Sequence, residues 1–280
     1  QVYIGTGDGP SQQNLRFGSG ALISNVAGVF NIAIGQNALK LATGDQNTAI
    51  GALAMLATTT GQRNTGVGAG ALYDNQGGND NVAIGPQSLY NNVFGSTNVA
   101  MGYEALYSNN SNANVAIGYQ AMRSSTNNMN NNVAVGAEAG RSGNATFYNN
   151  TLIGQQSAVN ATTGNGAVVI GRQAARIAAD GTGNVTGLTR STIIGAFAYP
   201  LETTSQDEIV IGYNANGLGD NTTVIGTTVT TKTRLYGDID AATGDVEVAD
   251  NTKGLILSSP DGTRYRVTVA NGGTLTVAAV

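Results

Sequence analysis

The stretch Asn81 to Leu89, NVAIGPQSL, recurs in variant form along most of the chain. Aligning the variants on their glycine, here position 0, places neighbouring units mostly 16 to 18 residues apart. This period is too short for a helix pair or a propeller blade, but it suits a solenoid coil built from short strands. The alignment yields about 14 units, centred on Gly5, Gly18, Gly35, Gly51, Gly68, Gly85, Gly102, Gly118, Gly136, Gly154, Gly171, Gly195, Gly212 and Gly226.

Position −1 of every unit is apolar, and position −3 is usually Val or Thr. Ile84 and Val82 are one such pair. Spacing of two puts both side chains on one face of a short strand, where β-branched residues pack well. The sequence therefore predicts one strand per unit, followed by a bend at the glycine.

Position −4 is asparagine in nine successive units. Coils stacked in parallel place such side chains about 4.8 Å apart, where amides can hydrogen-bond as a ladder. The alternative is that asparagine merely suits the turn backbone. The predicted ladder comprises Asn14, Asn31, Asn47, Asn64, Asn81, Asn98, Asn114, Asn132 and Asn150.

Small residues occupy positions −2 and +3, as Ala83 and Ser88 do, and a larger apolar residue follows at +4. We expect a thin coil to leave the +4 side chain exposed, so that another chain must cover it. The +4 residues are Leu39, Met55, Leu72, Leu89, Leu106 and Met122.

Changes in these columns predict three regions. Residues 1–140 are regular repeats with the asparagine ladder. Residues 141–230 are modified repeats, because the −4 asparagine disappears after Asn150 and −2 becomes bulky, as in Leu152 and Val169. Bulky residues on both strand faces predict a wider coil with both faces buried. Residues 172–191 are an insertion, interpreted as a surface bulge, a brace between chains or a binding loop.

Residues 231–280 abandon the repeat. The runs GLILSS, TRYRVTV and TLTVAAV are separated by Pro260-Asp261-Gly262 and Asn271-Gly272-Gly273, and these are hairpin-turn residues. The sequence predicts a small antiparallel β-meander here. Its open edge strands favour pairing between chains, so we expect it to be a trimerisation or tip module.

Composition excludes several classes of function. Charged residues are 11% of the chain and the net charge is −4, which disfavours nucleic acid as a partner. Absence of histidine and cysteine removes the usual nucleophile systems, zinc ligands and disulfides. No apolar run approaches the roughly 20 residues that span a bilayer, so we expect no membrane insertion. The chain opens inside a repeat at Gln1, which we interpret as a processing boundary or a docking end.

The NVAIG units followed by a small residue at +3 resemble the head repeats of trimeric autotransporter adhesins, which are parallel β-rolls wound from three chains. The longer period and the ending GLILSSPDGTRYRVTV resemble phage tail-fibre proteins. This resemblance implies an all-β, intertwined homotrimeric fibre, virion-borne or extracellular, which contacts other virion or fibre proteins at its N-terminal end.

The same resemblance implies attachment to a host surface glycan or protein. A bacterial trimeric surface adhesin is one alternative. A tail-spike glycan hydrolase is another, and it would need two carboxyl groups roughly 5 to 9.5 Å apart across a cleft. Carboxylates gather near the insertion at Asp180, Glu202, Asp207 and Glu208, but their spacing identifies no catalytic pair. No cofactor or metal pattern occurs, so we predict a non-enzymatic protein.

Two groups of residues are candidate receptor contacts. Position +5 carries Tyr73, Tyr90 and Tyr107 on consecutive units, followed by Arg123, which predicts an aromatic ladder ending in a cation. Such a ladder can bind sugar, stiffen the rod or cover a neighbouring chain. The second group lies beside the terminal turns, where unlike groups converge: Asp261, Arg264, Tyr265 and Arg266. The alternative is that the terminal module only locks the trimer.

Overall fold

The structure is a computed structural model that describes residues 4–5, 13–24, 27–123, 128–142, 146–227, 255–258, 263–269 and 275–279. Contacts divide the chain into two compact units, Gln1–Thr233 and Arg234–Val280. The described residues contain strands and turns and no helix, so none could cross a membrane as a helix.

The described strands are short, mostly of three residues. In chain order they are β1 Ile4–Gly5, β2 Leu15–Phe17, β3 Ile32–Ile34, β4 Thr48–Ile50, β5 Thr65–Val67, β6 Val82–Ile84, β7 Val99–Met101, β8 Val115–Ile117, β9 Asn128–Asn130, β10 Val133–Val135, β11 Thr146–Tyr148, β12 Thr151–Ile153, β13 Thr163–Asn165, β14 Val168–Ile170, β15 Gly187–Thr189, β16 Thr192–Ile194, β17 Thr204–Gln206, β18 Ile209–Ile211, β19 Thr223–Ile225, β20 Leu255–Ser258, β21 Arg264–Val269 and β22 Leu275–Ala279.

A long sheet of fourteen strands runs through the first unit, in the order β1 to β8, then β10, β12, β14, β16, β18 and β19. From β2 onward, every neighbouring pair is parallel and in register, so that Val82, Ala83 and Ile84 pair with Val99, Ala100 and Met101. Equivalent positions of successive repeats therefore stack directly. The predicted parallel β-solenoid is confirmed, with about 12 turns.

The first predicted repeat does not form a coil. β1 pairs with β2 in the antiparallel direction, with Ile4 opposite Phe17. The step from Gly5 to Gly18 is 13 residues, the shortest in the chain, and the strand returns alongside β2 instead of stacking on it. The count of about 14 coils was therefore wrong at this end.

The prediction that the +4 side chains are exposed was wrong. Leu39, Met55, Leu72, Leu89, Leu106 and Met122 are all completely buried within their own chain. The reason is a match of volumes, because the small −2 residue of the next coil leaves room for them. A Cβ built on Gly66, a −2 position, would lie 3.0 Å from Cγ of Met55. Alanine at −2 and Leu or Met at +4 together fill the coil.

Most coils hold three non-glycine residues in the left-handed backbone conformation, which side chains rarely adopt, at positions −5, +2 and +4. Gln87 and Leu89 lie in the left-handed region with φ of 57° and 49°, and so do their equivalents in most coils. Such residues cost about 1–3 kcal/mol each unless surrounding structure holds them. Bonds between coils do so here, since Gln87 and Leu89 donate their N–H groups to Ala69 and Ala105 carbonyls at 3.0 Å.

A second parallel sheet accompanies the later coils, in the order β17, β15, β13, β11 and β9. It contributes Met129, Phe147 and Leu188 to the core, opposite the bulky −2 residues Leu152 and Ile193. The bulky −2 column thus shares the core with the second sheet. The expectation that both strand faces are buried was wrong, because Ile153 at −1 is 37% exposed.

The 172–191 insertion is partly ordered into this second sheet. Ile177 and Asn184 form an antiparallel bridge at the base of a short excursion, and β15 then returns to the sheet. The excursion is therefore shorter than the insertion predicted from the repeat spacing.

The second unit contains an antiparallel sheet in which β21 lies between β20 and β22. Leu257 pairs with Tyr265, and Val267 pairs with Val277. The small C-terminal antiparallel module is confirmed.

Candidate functional site

The asparagine column forms a continuous hydrogen-bonded line through the buried interior. The backbone N–H of Asn81 donates to Oδ1 of Asn64 at 3.0 Å, and its Nδ2 donates to the same Oδ1 at 3.1 Å and to the Gly95 carbonyl at 2.8 Å. The backbone bond to the preceding Oδ1 recurs at Asn31, Asn47, Asn64, Asn98, Asn114, Asn132 and Asn150. These buried amides hold the coil spacing and face no solvent.

The asparagine ladder ends at Asn150, whose side-chain oxygen is bonded by the backbone of an alanine instead of another asparagine. Ala167 donates its N–H to Asn150 Oδ1 at 2.8 Å. Further along, Glu208 occupies the same −4 position and is completely buried. It accepts bonds from the Ser205 hydroxyl at 2.9 Å and the Gly219 N–H at 3.0 Å.

The four carboxylates near the insertion lie in different settings. Asp207 accepts a two-pronged ion pair from Arg190, with bonds of 2.7 and 2.5 Å, and this hydrogen bonding lowers the pKa of Asp207. Asp180 accepts bonds from Thr182 at an exposed turn, and Glu202 is exposed. Asp180, Asp207 and Glu208 therefore each accept local hydrogen bonds, and they do so from different donors.

Two of the predicted C-terminal contacts share a face, and one does not. Arg264, Tyr265 and Arg266 are consecutive in β21, so strand alternation puts the two arginines on one face and Tyr265 on the other. Asp261 lies outside the described residues. The expected convergence of arginine and tyrosine is therefore not formed within this strand.

The +5 column forms the predicted aromatic ladder. The Tyr73 and Tyr90 rings stack 4.6 Å apart, and the Tyr90 and Tyr107 rings stack 5.2 Å apart, with interplanar angles of 9° and 4°. Both faces of Tyr90 are covered by its neighbours, so it offers only its edge and hydroxyl to solvent. Burial and the neighbouring phenols raise the pKa of Tyr90.

A charged network ends this ladder. The Arg123 guanidinium lies 5.0 Å from the Tyr107 ring centroid, and its Nε donates to Oε2 of Glu104. Gln120 Nε2 donates to the same oxygen at 2.7 Å. These bonds hold Arg123 between an aromatic ring and a buried carboxylate.

Beyond Arg123 the +5 column continues to Arg141 and Val159, and these three residues border a groove of about 370 Å³. The other lining residues are polar, and Asn160, Thr162 and Thr186 among them come from coils that carry the second sheet. Arg141 was missed in the sequence, although counting five residues from Gly136 reaches it. Nothing in the sequence indicated that Asn160, Thr162 and Thr186 lie beside the two arginines, because the packing of the coils decides which residues meet.

Glu104 makes the stability of this site pH-dependent. Burial alone would raise the pKa of Glu104, but hydrogen bonds from Gln120, Tyr103 and Arg123 outweigh burial and hold it below its ordinary value of 4.5. A carboxyl with a lowered pKa stabilises the fold above its unfolded-state pKa, and this stabilisation is lost as pH falls through the folded-state value. We expect Glu104→Gln to be less stable than wild type at neutral pH, with the difference shrinking below pH 4.5.

Urea unfolding midpoints measured across pH check this expectation. Asp180→Asn, at an exposed turn, is the matched control and should follow the wild-type curve closely. A Glu104→Gln deficit that persists unchanged in acid would contradict the proposed role of the carboxylate charge.

Comparison of the chain with protein-family models, curated proteins and solved structures finds no match in any of the three searches. Function is therefore argued from the geometry of the chain itself.

Proposed function

We propose that this chain is the structural subunit of a homotrimeric attachment fibre, of the kind carried on phage tails, which contacts a host cell surface. The observation that carries the proposal is the unbroken stack of thirteen parallel strands, in which each strand pairs in the same register with its neighbours. At about 4.8 Å per strand, twelve steps extend for about 58 Å. Repetition of this kind suits a spacer that carries load, while the polar, sparsely charged loops suit contact with a surface.

The feature that favours assembly is the exposed outer face of the long sheet. The +4 side chains are buried within their own chain, so this apolar face is the one that a partner chain would bury. Positions −3 and −1 of β2 to β19 point away from the core, and they carry only apolar residues and threonine. Ile84, Met101 and Ile117 are 37–38% exposed. We name these −3 and −1 positions the outer strip. Monomeric soluble proteins rarely expose an apolar patch of more than a few hundred Å².

The occupant that best fits the outer strip is another copy of the same chain. The strip repeats at every strand, about 4.8 Å apart, so a partner with the same spacing can pack against it along its entire length. It carries no charge that would require an ion pair. Three copies, as the resemblance to trimeric adhesin heads and tail fibres implies, would bury the strip of each chain.

Charge introduced into the outer strip tests the assembly. We expect Ile84→Lys combined with Ile117→Lys to reduce the mass measured by light scattering from about three times 28.3 kDa to that of one chain. The reason is that an unpaired charge in an apolar interface costs several kcal/mol. Asn91→Lys, at an exposed loop position, is the control and should leave the trimer intact. A wild-type protein that is a folded monomer at micromolar concentration would overturn the trimer.

Attachment is tested separately, by mixing fluorescently labelled wild-type protein with a panel of bacterial strains and measuring adsorption. The proposal expects saturable binding to a subset of strains, blocked by an excess of unlabelled protein. Adsorption to no strain, or equal unsaturable adsorption to all of them, would overturn host attachment.

A further inference from the structure

The groove at the end of the tyrosine ladder combines positive charge with neutral polar groups. Arg123 and Arg141 come from consecutive coils, and none of the described residues that line the groove is acidic. Its volume of about 370 Å³ lies near the lower end of the range for small-molecule sites, about 300–1,000 Å³. Two neighbouring cations are unusual in a chain with 11% charged residues and a net charge of −4.

Both arginines are held from behind. Arg123 stacks on Tyr107 and donates its Nε to Glu104, and Arg141 Nη1 lies 3.5 Å from Glu138. A guanidinium has five N–H donors, so a single carboxylate contact does not exhaust it. Anchoring reduces the conformational entropy lost when a ligand binds. Both side chains keep partial exposure, 36% for Arg123 and 41% for Arg141.

The rest of the lining matches sugar hydroxyls. Asn160, Thr162, Asn184 and Thr186 supply amide and hydroxyl groups. The Thr162 and Thr186 hydroxyls already donate to the Thr186 and Thr203 carbonyls, at 3.1 and 3.3 Å, so they offer a sugar hydroxyl an acceptor. Asn160 Nδ2 donates to the Arg176 carbonyl at 3.2 Å and keeps its second N–H and its Oδ1 for a ligand. Val159 is the single aliphatic residue among the described lining residues, which gives little support to the apolar side chains of a peptide. The stacked tyrosine faces are covered, so recognition here depends on charge and hydrogen bonds.

We propose that this groove, defined as the space between Arg123 and Arg141 on one side and Thr162 and Thr186 on the other, binds an acidic residue of a surface glycan. Its carboxylate or sulfate lies between the two guanidinium groups, and its ring hydroxyls contact the Asn and Thr side chains. Planar guanidinium groups recognise such anions in a two-pronged geometry. The inference rests on the proposed attachment function and specifies the chemistry of the receptor.

The test is an array of immobilised oligosaccharides that carry uronic acids, sialic acids or sulfated sugars, each beside its neutral counterpart, which is a methyl ester or the unsulfated sugar. Wild-type trimer is expected to bind one of the acidic classes, and the class identifies carboxylate or sulfate as the anion. Neutralising the anion is expected to weaken binding by about tenfold or more, and added salt should weaken it as well.

Arginine variants assign the binding to the groove. Arg123→Gln with Arg141→Gln is expected to abolish binding to acidic glycans. Arg63→Gln is the matched control, because Arg63 is also exposed and ion-paired, with Asp80, but lies outside the groove. If loss of Arg123 leaves buried Glu104 unpaired and prevents folding, Arg141→Gln alone serves, with about a tenfold loss expected.

On the array, three outcomes would overturn the proposal that the groove binds an acidic glycan: binding to no acidic glycan, equal binding to neutral counterparts, and retained binding in a folded arginine variant. Adsorption that survives periodate treatment of cells but not protease treatment would assign recognition to protein and also overturn it. If labelled wild type and the double variant adsorb equally to cells, the proposed attachment function is retained and the proposed glycan binding in the groove is refuted. If wild type adsorbs to no cell, the proposed function itself fails.

Discussion

Asn81→Ala is expected to lower the free energy of unfolding of the solenoid by about 2 to 4 kcal/mol. Oδ1 of Asn81 accepts the N–H and the Nδ2 of Asn98, at 3.0 and 3.1 Å. Asn98 Nδ2 keeps the Ser111 carbonyl as a partner, but the buried Asn98 N–H is left unpaired. An unsatisfied buried donor costs about 1–3 kcal/mol, and the lost amide contacts and the cavity add to that.

The matched control is Asn91→Ala, the same change at an exposed position whose amide bonds Ser108 Oγ at 3.2 Å. We expect it to change stability by less than about 0.5 kcal/mol. Urea unfolding followed by far-UV circular dichroism compares the two variants. Hydrogen exchange should show lost protection near Asn98, since each coil contacts only its neighbours. Equal effects of the two substitutions would refute a structural role for the buried ladder.

Gly102→Ala is expected to be more damaging than Asn81→Ala, costing about 4 kcal/mol or more or preventing folding altogether. Gly102 has φ of +129°, a conformation that disfavours side chains. A Cβ there would lie 2.5 Å from the carbonyl oxygen of Gly118 in the next coil. That neighbour is backbone held by the sheet, so relief requires the coils to separate.

Gly181→Ala is the control that separates the cost of backbone strain from the cost of a steric clash between coils. Gly181 also has positive φ, +77°, but a Cβ built on it meets nothing within 4 Å. The expected cost is therefore only the backbone strain, about 1–2 kcal/mol. Yield of soluble protein, circular dichroism and urea midpoints compare the two variants. Gly102→Ala with wild-type stability would contradict the close approach of coils at this column.

The sequence alone determined that the chain is a parallel β-solenoid in which each repeat gives one strand to the long sheet. The reason is that the apolar −1 column, the glycine at 0 and Asn81 with its equivalents recur at one period, and only stacked coils place all three columns in contact. Turn residues beside Pro260 and Asn271 likewise determined the C-terminal meander. The tyrosine ladder and its final cation, Arg123, were also readable, because they share one column.

Only the tertiary structure decided which strand face points inward. A spacing of two residues puts Val82 and Ile84 on one face and Ala83 on the other, but it does not say which face is core. Left-handed corners at positions such as Gln87 and Leu89 bring the +4 side chain under the small −2 residue. In the regular coils the core is therefore built mainly from alanine, leucine and methionine, and Val82, Ile84 and their equivalents form the outer strip.

The groove likewise depends on the fold. Arg123 and Arg141 are one coil apart in one column, but Thr162 and Thr186 come from later coils that carry the second sheet, and only the fold brings them to the same groove. The +5 column alone cannot predict this meeting, since coil width depends on how Phe147, Leu152 and Leu188 pack. The repeat by itself determines which residues stack from coil to coil. The shape of each coil's cross-section depends on how its side chains pack in three dimensions.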